Sequence, residues 1–260
     1  MVKYNILLYV IKDYVEKCSV TMKGIIHDLT PRVREIAETD EDYDMLMEYL
    51  PRFYMDYYNA PVEHLTAVYQ TTDTKTNKTS YTSSHEVGDE DHVDMPTTLK
   101  IFLQYDLFDD EGVKMTFHNH PSSTCFQSMG DFITQTSYST QYGVTVSKDG
   151  IMISKTDGKL YGIDPLDVMI VSAIEDQNKI DYIDNHKDDF KIHEIQTQVN
   201  NGKITDEEGQ ELLNKQYYKY LSKNIESEVE HMDEVFALNG IPISCNYIKI
   251  HKTWEDGYND

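Results

Sequence analysis

Positive charge is what this sequence has least of for its length. Lysine and arginine number 23 against 46 aspartates and glutamates, for a formal net charge of −23. Affinity for nucleic acid comes largely from basic side chains displacing counterions, so a surface of this sign repels phosphate backbones and anionic lipid alike. No run of basic residues offers a local exception, and nucleic acid is not an expected partner. Long apolar runs are missing too: no segment approaches the ~20 residues that span a bilayer. The apolar stretch from Tyr4 to Ile11 is short, meets Lys12 and Asp13 at once, and lacks a small-residue cleavage site, so neither a membrane helix nor a signal peptide is expected. Cysteine is sparse and odd in number (Cys18, Cys125, Cys245), which excludes a disulfide framework and makes a reducing cytoplasm the expected location. Internal repeats and low-complexity segments are absent.

What remains is the composition of a polar globular protein, 39% hydrophobic and 27% charged, with 20 tyrosines suited to packing a ring while keeping a wet hydroxyl. At 260 residues the chain is long enough for one large domain or two small ones. Residues 1 to about 60 read as mostly helical. Thr39 or Asp40 caps a helix whose Met45, Leu46, Tyr49 and Leu50 share a face, with Pro51 expected to stop or bend it. Glu63-His64-Leu65-Thr66-Ala67-Val68-Tyr69 reads as a strand, Thr71 to Thr79 as a hairpin turn, and Ser80 to Glu86 as the returning strand. An acidic loop, Gly88 to Asp94, leads to Met95-Pro96 and a helix to about Phe108. After a turn at Asp109 to Gly112, the alternation from Val113 to His118 predicts a strand. It puts Val113, Met115 and Phe117 on one face and Thr116, His118 and His120 on the other. A helix from Ser128 to about Gln141 follows, then strands Tyr142 to Val146 and Gly150 to Lys155 joined by an Asp-Gly turn. This order argues for an α/β fold with a mixed sheet flanked by helices.

The pattern changes near Asp164-Pro165. Beyond it come a helix, a charged stretch from Glu175 to Asp189, a helix from Thr205 with Glu208 as capping-box partner that runs to Leu238, a stop at Asn239-Gly240, and a terminal strand within Ile241 to His251 before a frayed acidic tail from Glu255. Three regions are expected: a helical N-terminal extension over 1–59, a central domain over 60–163, and a mostly helical region over 164–260.

Chemistry concentrates in Phe117-His118-Asn119-His120-Pro121-Ser122, with Ser128 and Asp131 beyond it. Two histidines at i and i+2, then an aspartate eleven residues after the second, form a candidate three-ligand metal site. Imidazole and carboxylate donors suit zinc, and three protein ligands leave a fourth position open, as a hydrolytic zinc requires. Each residue also has a plainer role. His-x-His pairs arise by chance, Glu63 alone reads as a surface carboxylate, and Pro121 can simply end a strand. Ser128-x-x-Asp131 is a helix N-terminal signature, in which the serine caps the backbone; capping and ligation are compatible, because a helix start fixes both side chains.

The spacing His118-x-His120, seven residues, then Ser128-x-x-Asp131 resembles the JAMM (MPN+, JAB-domain) zinc metalloprotease motif without a gap. The wording His-Asn-His-Pro-Ser looks like the RadC branch of that superfamily. Glu63 to Tyr69, with Thr74 to Lys78 beyond it, resembles the RadC stretch holding the upstream catalytic glutamate, and Tyr142 to Val146 with the following strand also fits. The resemblance covers roughly residues 60 to 155. It departs after His-Pro-Ser, where RadC proteins usually carry Gly-Asp-Pro-x-Pro and this chain has Ser123-Thr124-Cys125-Phe126-Gln127; nor is the helix-hairpin-helix of full-length RadC evident. The resemblance implies a JAMM-type, cytidine-deaminase-like fold in which His118, His120 and Asp131 hold Zn2+. Glu63 would then be the general acid/base that moves a proton from an activated water to the leaving amine, and Ser128 would donate to the oxyanion. The implied substrate is an amide bond in a protein or peptide, either peptide or isopeptide, with ubiquitin-like conjugates as one class.

Two other readings stand beside it: a RadC-like DNA-repair or nucleic-acid-associated protein, which needs a basic groove near His118, and a catalytically silent interaction module. Cys125 as a fourth ligand would close the site. A cytidine-deaminase activity lacks its Pro-Cys-x-x-Cys segment. His64 is expected to face away from Glu63, and the run Asp89 to Asp94, which lacks EF-hand spacing, to be a solvated loop with Glu86 and Glu90.

Overall fold

Six strands, β1 (His64–Asp73), β2 (Lys78–Val87), β3 (Val113–Asn119), β4 (Tyr142–Ser147), β5 (Gly150–Thr156) and β6 (Ile243–Ile248), join in one sheet ordered β2-β1-β3-β4-β5-β6. The computed structural model describes residues 21–73, 76, 78–90, 92–104, 113–121, 124–156 and 165–251. The N-terminal apolar run, Cys18, the middle of the first hairpin turn, the turn at Asp109 to Gly112, Ser122, Asp164 and the acidic tail lie outside the described residues. The sheet is mixed: β3 and β4 run parallel, and every other neighbouring pair is antiparallel. The β4–β5 hairpin turns through Lys148 and Asp149, with Ser147 opposite Gly150, whose φ of 148° favours glycine.

One face of the sheet is covered by α1 (residues 21–36) and α2 (Asp40–Tyr57). Their Ile25, Leu29, Leu46, Leu50 and Phe53 bury against Met115, Phe117, Val144 and Ile153. Thr39 caps α2 in a reciprocal box with Asp42. Pro51 neither stops the helix nor marks its end; α2 continues to Tyr57. Phe53, in the turn beyond the proline, is buried with its ring tilted against Phe117 at 5.9 Å between centroids. Burying such a side chain is worth ~1.5–3 kcal/mol, enough to offset much of the cost of a proline inside a helix.

The opposite face carries α3 (Thr97–Gln104), α4 (Met129–Ser137), α5 (Pro165–Asn185) and α8 (Ile225–Leu238). Phe132, Val168, Val171, Met232 and Phe236 pack on Met152 and Cys245, while Met95 and Leu99 cover Leu65, Ala67 and Val113. Val113 thus sits on the face opposite Met115 and Phe117, against the simple alternation. The cause is a bulge: Val68 pairs with Met115 but Tyr69 with Val113, leaving Lys114 as the extra residue. Lys114 turns toward α2, where its ammonium lies 2.7 Å from buried Asp42.

Three helix boundaries also differ from expectation. α4 ends at Ser137, because the Gln141 N–H pairs with Val113 O and its carbonyl accepts from Thr156, tying it to the strands. α5 carries most of the charged stretch, and α6 (Ile192–Asn200) follows it. The expected helix from Thr205 to Leu238 is two helices, α7 (Asp206–Lys223) and α8, parted at Asn224. There the Asn224 side-chain amide bonds the Tyr220 carbonyl, the local competition that makes asparagine a poor helix-interior residue. The capping box Thr205–Glu208 and the stop at Gly240 (φ 69°) form as read. Chain on both sides of residue 164 builds the same sheet and the same core, since β6 pairs with β5 and α8 packs with Phe132. Among the described residues no helix is long and apolar enough to cross a membrane.

Candidate metal centre

The parallel pairing of β3 with β4 places the first histidine. His118 stands opposite Thr145, and the pairing carries on past the strand end through a bond from His120 N–H to Val146 O. Both rings then project on the α4 side. Asp131 arrives from the first turn of α4, held by the box read from the sequence: Ser128 Oγ accepts from Asp131 N–H, and Asp131 Oδ2 accepts from Ser128 N–H at 2.7 Å.

Donor atoms of three residues converge. His118 Nε2 lies 3.1 Å from His120 Nε2 and 3.2 Å from Asp131 Oδ1, and His120 Nε2 lies 3.5 Å from Asp131 Oδ2. A tetrahedral zinc with bonds of ~2.0–2.1 Å spaces its donors by roughly 3.3 Å, close to these separations, with the two histidines meeting different oxygens of the Asp131 carboxylate. The tautomers agree with this. His120 Nδ1 lies 3.2 Å from the Thr124 carbonyl and donates to it, which turns the Nε2 lone pair toward His118. Two ring nitrogens at that distance repel unless a cation, proton or metal, lies between them. Among the described residues this is the one group of three or more such side chains gathered closely enough for a metal.

Protonation follows the same geometry. Burial disfavours the His120 imidazolium, but the bonded Asp131 carboxylate and the charge of Glu63 outweigh it and raise the ring above its ordinary 6.5. Burial likewise pushes Asp131 up, yet His118 and His120 hold it well below 3.8. A raised histidine contributes stability below ~6.5 that is lost as pH rises through its folded value, and a depressed aspartate contributes above ~4 what is lost on acidification. The metal-free site is therefore most stabilising between those limits, and a metal ion bound there would have to displace the His120 proton. We expect the stability gained on adding zinc, read as a melting-temperature shift, to be small near pH 5.5 and to grow toward pH 8. A gain independent of pH across that range would contradict this.

Glu63 precedes β1 and lies in the same cleft as the donors. Asn119, the middle residue of His-Asn-His, faces away from the histidines and positions it. Its Oδ1 accepts from His64 N–H at 2.7 Å and its amide donates to Val62 O at 3.0 Å, pinning the backbone on both sides of Glu63. On the other side Glu63 N–H bonds Asp89 O and its carbonyl accepts from Gly88 N–H. Gly88 has to be glycine, since a Cβ there would collide with the His92 carbonyl oxygen. Burial raises the Glu63 carboxyl; His120 and His118 pull it back only in part, so it remains above 4.5. A half-buried carboxyl tuned upward is the form a general base takes.

The cleft in front of the donors has a volume of about 730 Å³. The acidic loop is part of it: Glu90, His92 and Asp94 line the cleft, and Asp94 binds Lys100 at 3.0 Å. The far wall comes from α5, α7 and α8. Ser128 lines the cleft too, but its hydroxyl donates to Asp131 Oδ2 at 2.9 Å, so an oxyanion would have to compete for that proton. Cys125 points into the core with Phe132 and Met152, where burial and then Asp149 raise its thiol, and it is not among the clustered donors. His64 stacks on Tyr57 at 4.2 Å and meets His85 at 3.3 Å. Asn119, Thr124 and Thr145, whose hydroxyl lies 3.2 Å from His118 Nε2, are the site residues that sequence reading missed. Neither a scan against protein-family models nor a search of curated proteins returns a match, so what this site does must be read from its own residues.

Proposed function

We propose that this protein is a zinc-dependent hydrolase of amide bonds, a metallopeptidase or isopeptidase of the JAMM type. The observation that carries the reading is the convergence of His118, His120 and Asp131 at zinc-like spacing in a cleft that also holds the raised carboxyl of Glu63. Zinc bound there supplies a Lewis acid that polarises the substrate carbonyl and activates water. Glu63 accepts a proton from the attacking water and returns it to the leaving nitrogen. Thr124 fixes the His120 tautomer, and Asn119 holds Glu63 within reach. Ser128 gives its hydrogen bond either to Asp131 or to the developing oxyanion. A protein or peptide amide, with ubiquitin-like conjugates as one class, is the substrate. Replacement of Glu63 by glutamine tests the reading, with zinc retained and hydrolysis lost as the expected result.

The nucleic-acid reading gains nothing from this cleft. Lys100 and Lys179 face Glu63, Glu90, Asp94, Glu175, Asp176 and Glu228 among its described lining residues, a balance that repels phosphate. The hydrolase reading is supported over a silent module by the roughly 730 Å³ of space before the donors, which the described helices after residue 164 wall on one side.

A further inference from the structure

Across the sheet from the zinc donors, two histidines face each other at the open end of the β1–β2 hairpin. Thr66 stands opposite His85 in the register, and His64 lies two residues before Thr66, so the three side chains share one face of the sheet. It is the α2 face, where the Tyr57 ring stacks on His64 at 4.2 Å and on His85 at 5.4 Å between centroids. Leu65, next to His64, turns the other way and lines the cleft. The imidazoles meet nitrogen to nitrogen, with His64 Nδ1 3.3 Å from His85 Nε2. Two donors on a tetrahedral metal with bonds of ~2.0–2.1 Å stand roughly that far apart.

The surroundings suit ligating imidazoles rather than charged ones. His85 Nδ1 lies 2.9 Å from Thr66 Oγ1, and donation to that hydroxyl leaves the Nε2 lone pair aimed at His64. Such an outer hydrogen bond is what orients a metal-bound imidazole. Without metal, a proton on His64 Nδ1 fills the gap between the rings; with metal, that proton sits on Nε2 of the same neutral ring. His92, His118, His120, His231 and His251 each have a carboxylate oxygen within 3.5 Å, whereas among the described residues none bridges His64 or His85. Burial lowers both rings from 6.5, the neighbouring His85 lowers His64 further, and Glu86 opposes the shift at His85 only in part. Both are therefore mainly neutral at pH 7, the form that binds metal. His85 is exposed and His64 half-buried, which leaves the solvent side open for water ligands.

We propose that His64 and His85 form a second metal site, taking one divalent transition ion of the imidazole-binding class (zinc, nickel or copper) with water in the remaining positions. With two protein donors against three, it binds more weakly than the His118–His120–Asp131 site. β2 is an edge strand, and its pairing with β1 runs from Asp73 opposite Lys78 at the turn to His64 opposite Val87 at the open end. An ion here ties that open end, where the hairpin would fray first, beside Glu63. The site stands whether or not the cleft hydrolyses amides.

The test is an isothermal titration of the untagged, metal-stripped full chain with zinc. The unmodified chain should take up two equivalents, a tight one and a weaker one. His64→Gln and His85→Gln should each lose the weaker equivalent and keep the tight one, and the retained tight binding shows that the variant is folded. Thr66→Val, which removes the outer hydrogen bond, should weaken the second equivalent by ~10–100-fold and spare the first. A second equivalent that survives the loss of either histidine, or a single equivalent insensitive to both substitutions, would overturn the inference. A single equivalent that disappears in His85→Gln would uphold it and remove zinc from the cleft instead.

Discussion

Replacing Glu63 by glutamine is expected to lower amide hydrolysis by ~10²–10⁴-fold, the share a positioned general acid/base contributes. The substitution is nearly isosteric, and the backbone bonds that seat residue 63, to Asp89, Gly88 and the flanking Asn119 contacts, do not involve its side chain. The fold and the donor triangle should therefore survive, and bound zinc should match that of the unmodified protein. A single-turnover assay beside a metal assay separates the possibilities. Lost hydrolysis with zinc retained fits a proton-moving role. Hydrolysis that continues unchanged sinks it.

The second large effect is at Asp131. Alanine there removes one of three donors, and zinc affinity should fall well beyond the ~10–100-fold typical of losing an outer-shell partner. Zinc at a hundred times its dissociation constant should stabilise the unmodified chain by ~2.7 kcal/mol and the Asp131→Ala chain not at all at that concentration. Because Asp131 also accepts from Ser128 N–H, the variant should lose part of its helix cap as well, about 1 kcal/mol. The melt without zinc reads the loss of the cap together with the metal-free pairing of Asp131 with His118 and His120, and the further gain on adding zinc, compared between the two chains, reads the metal loss. Zinc stabilisation that persists in Asp131→Ala would remove this residue from the site.

Much of this was legible in the sequence because it is local. The alternation around His118 and the Ser128-x-x-Asp131 cap depend on residues a few positions apart, and the strand end and helix start they imply are where His118, His120 and Asp131 meet. The mixed sheet also followed from the order of its segments. What escaped depends on distant partners. The Lys114 bulge leaves composition unchanged and shows only when β1 is paired with β3, yet it moves Val113 to the other face. Asn119 looks like filler between two histidines until Val62 and His64 are found beside it, more than fifty residues away in sequence. The acidic loop is solvated as read, with Asp89, Glu90, His92 and Asp94 exposed, but its anchor to the backbone of Glu63 is invisible in the sequence. Pro51 and Asn224 show opposite outcomes of one competition. Burial of Phe53 carries a helix through a proline, while a side-chain bond to Tyr220 parts α7 from α8.

The most direct test of the central claim is anomalous diffraction at the zinc edge from crystals of the full chain grown with zinc. The expected result is one peak bonded to His118 Nε2, His120 Nε2 and an Asp131 oxygen at ~2.0–2.2 Å, on the side of the triangle that faces the cleft. No peak at this triangle, or a strong peak only at other residues, would contradict it.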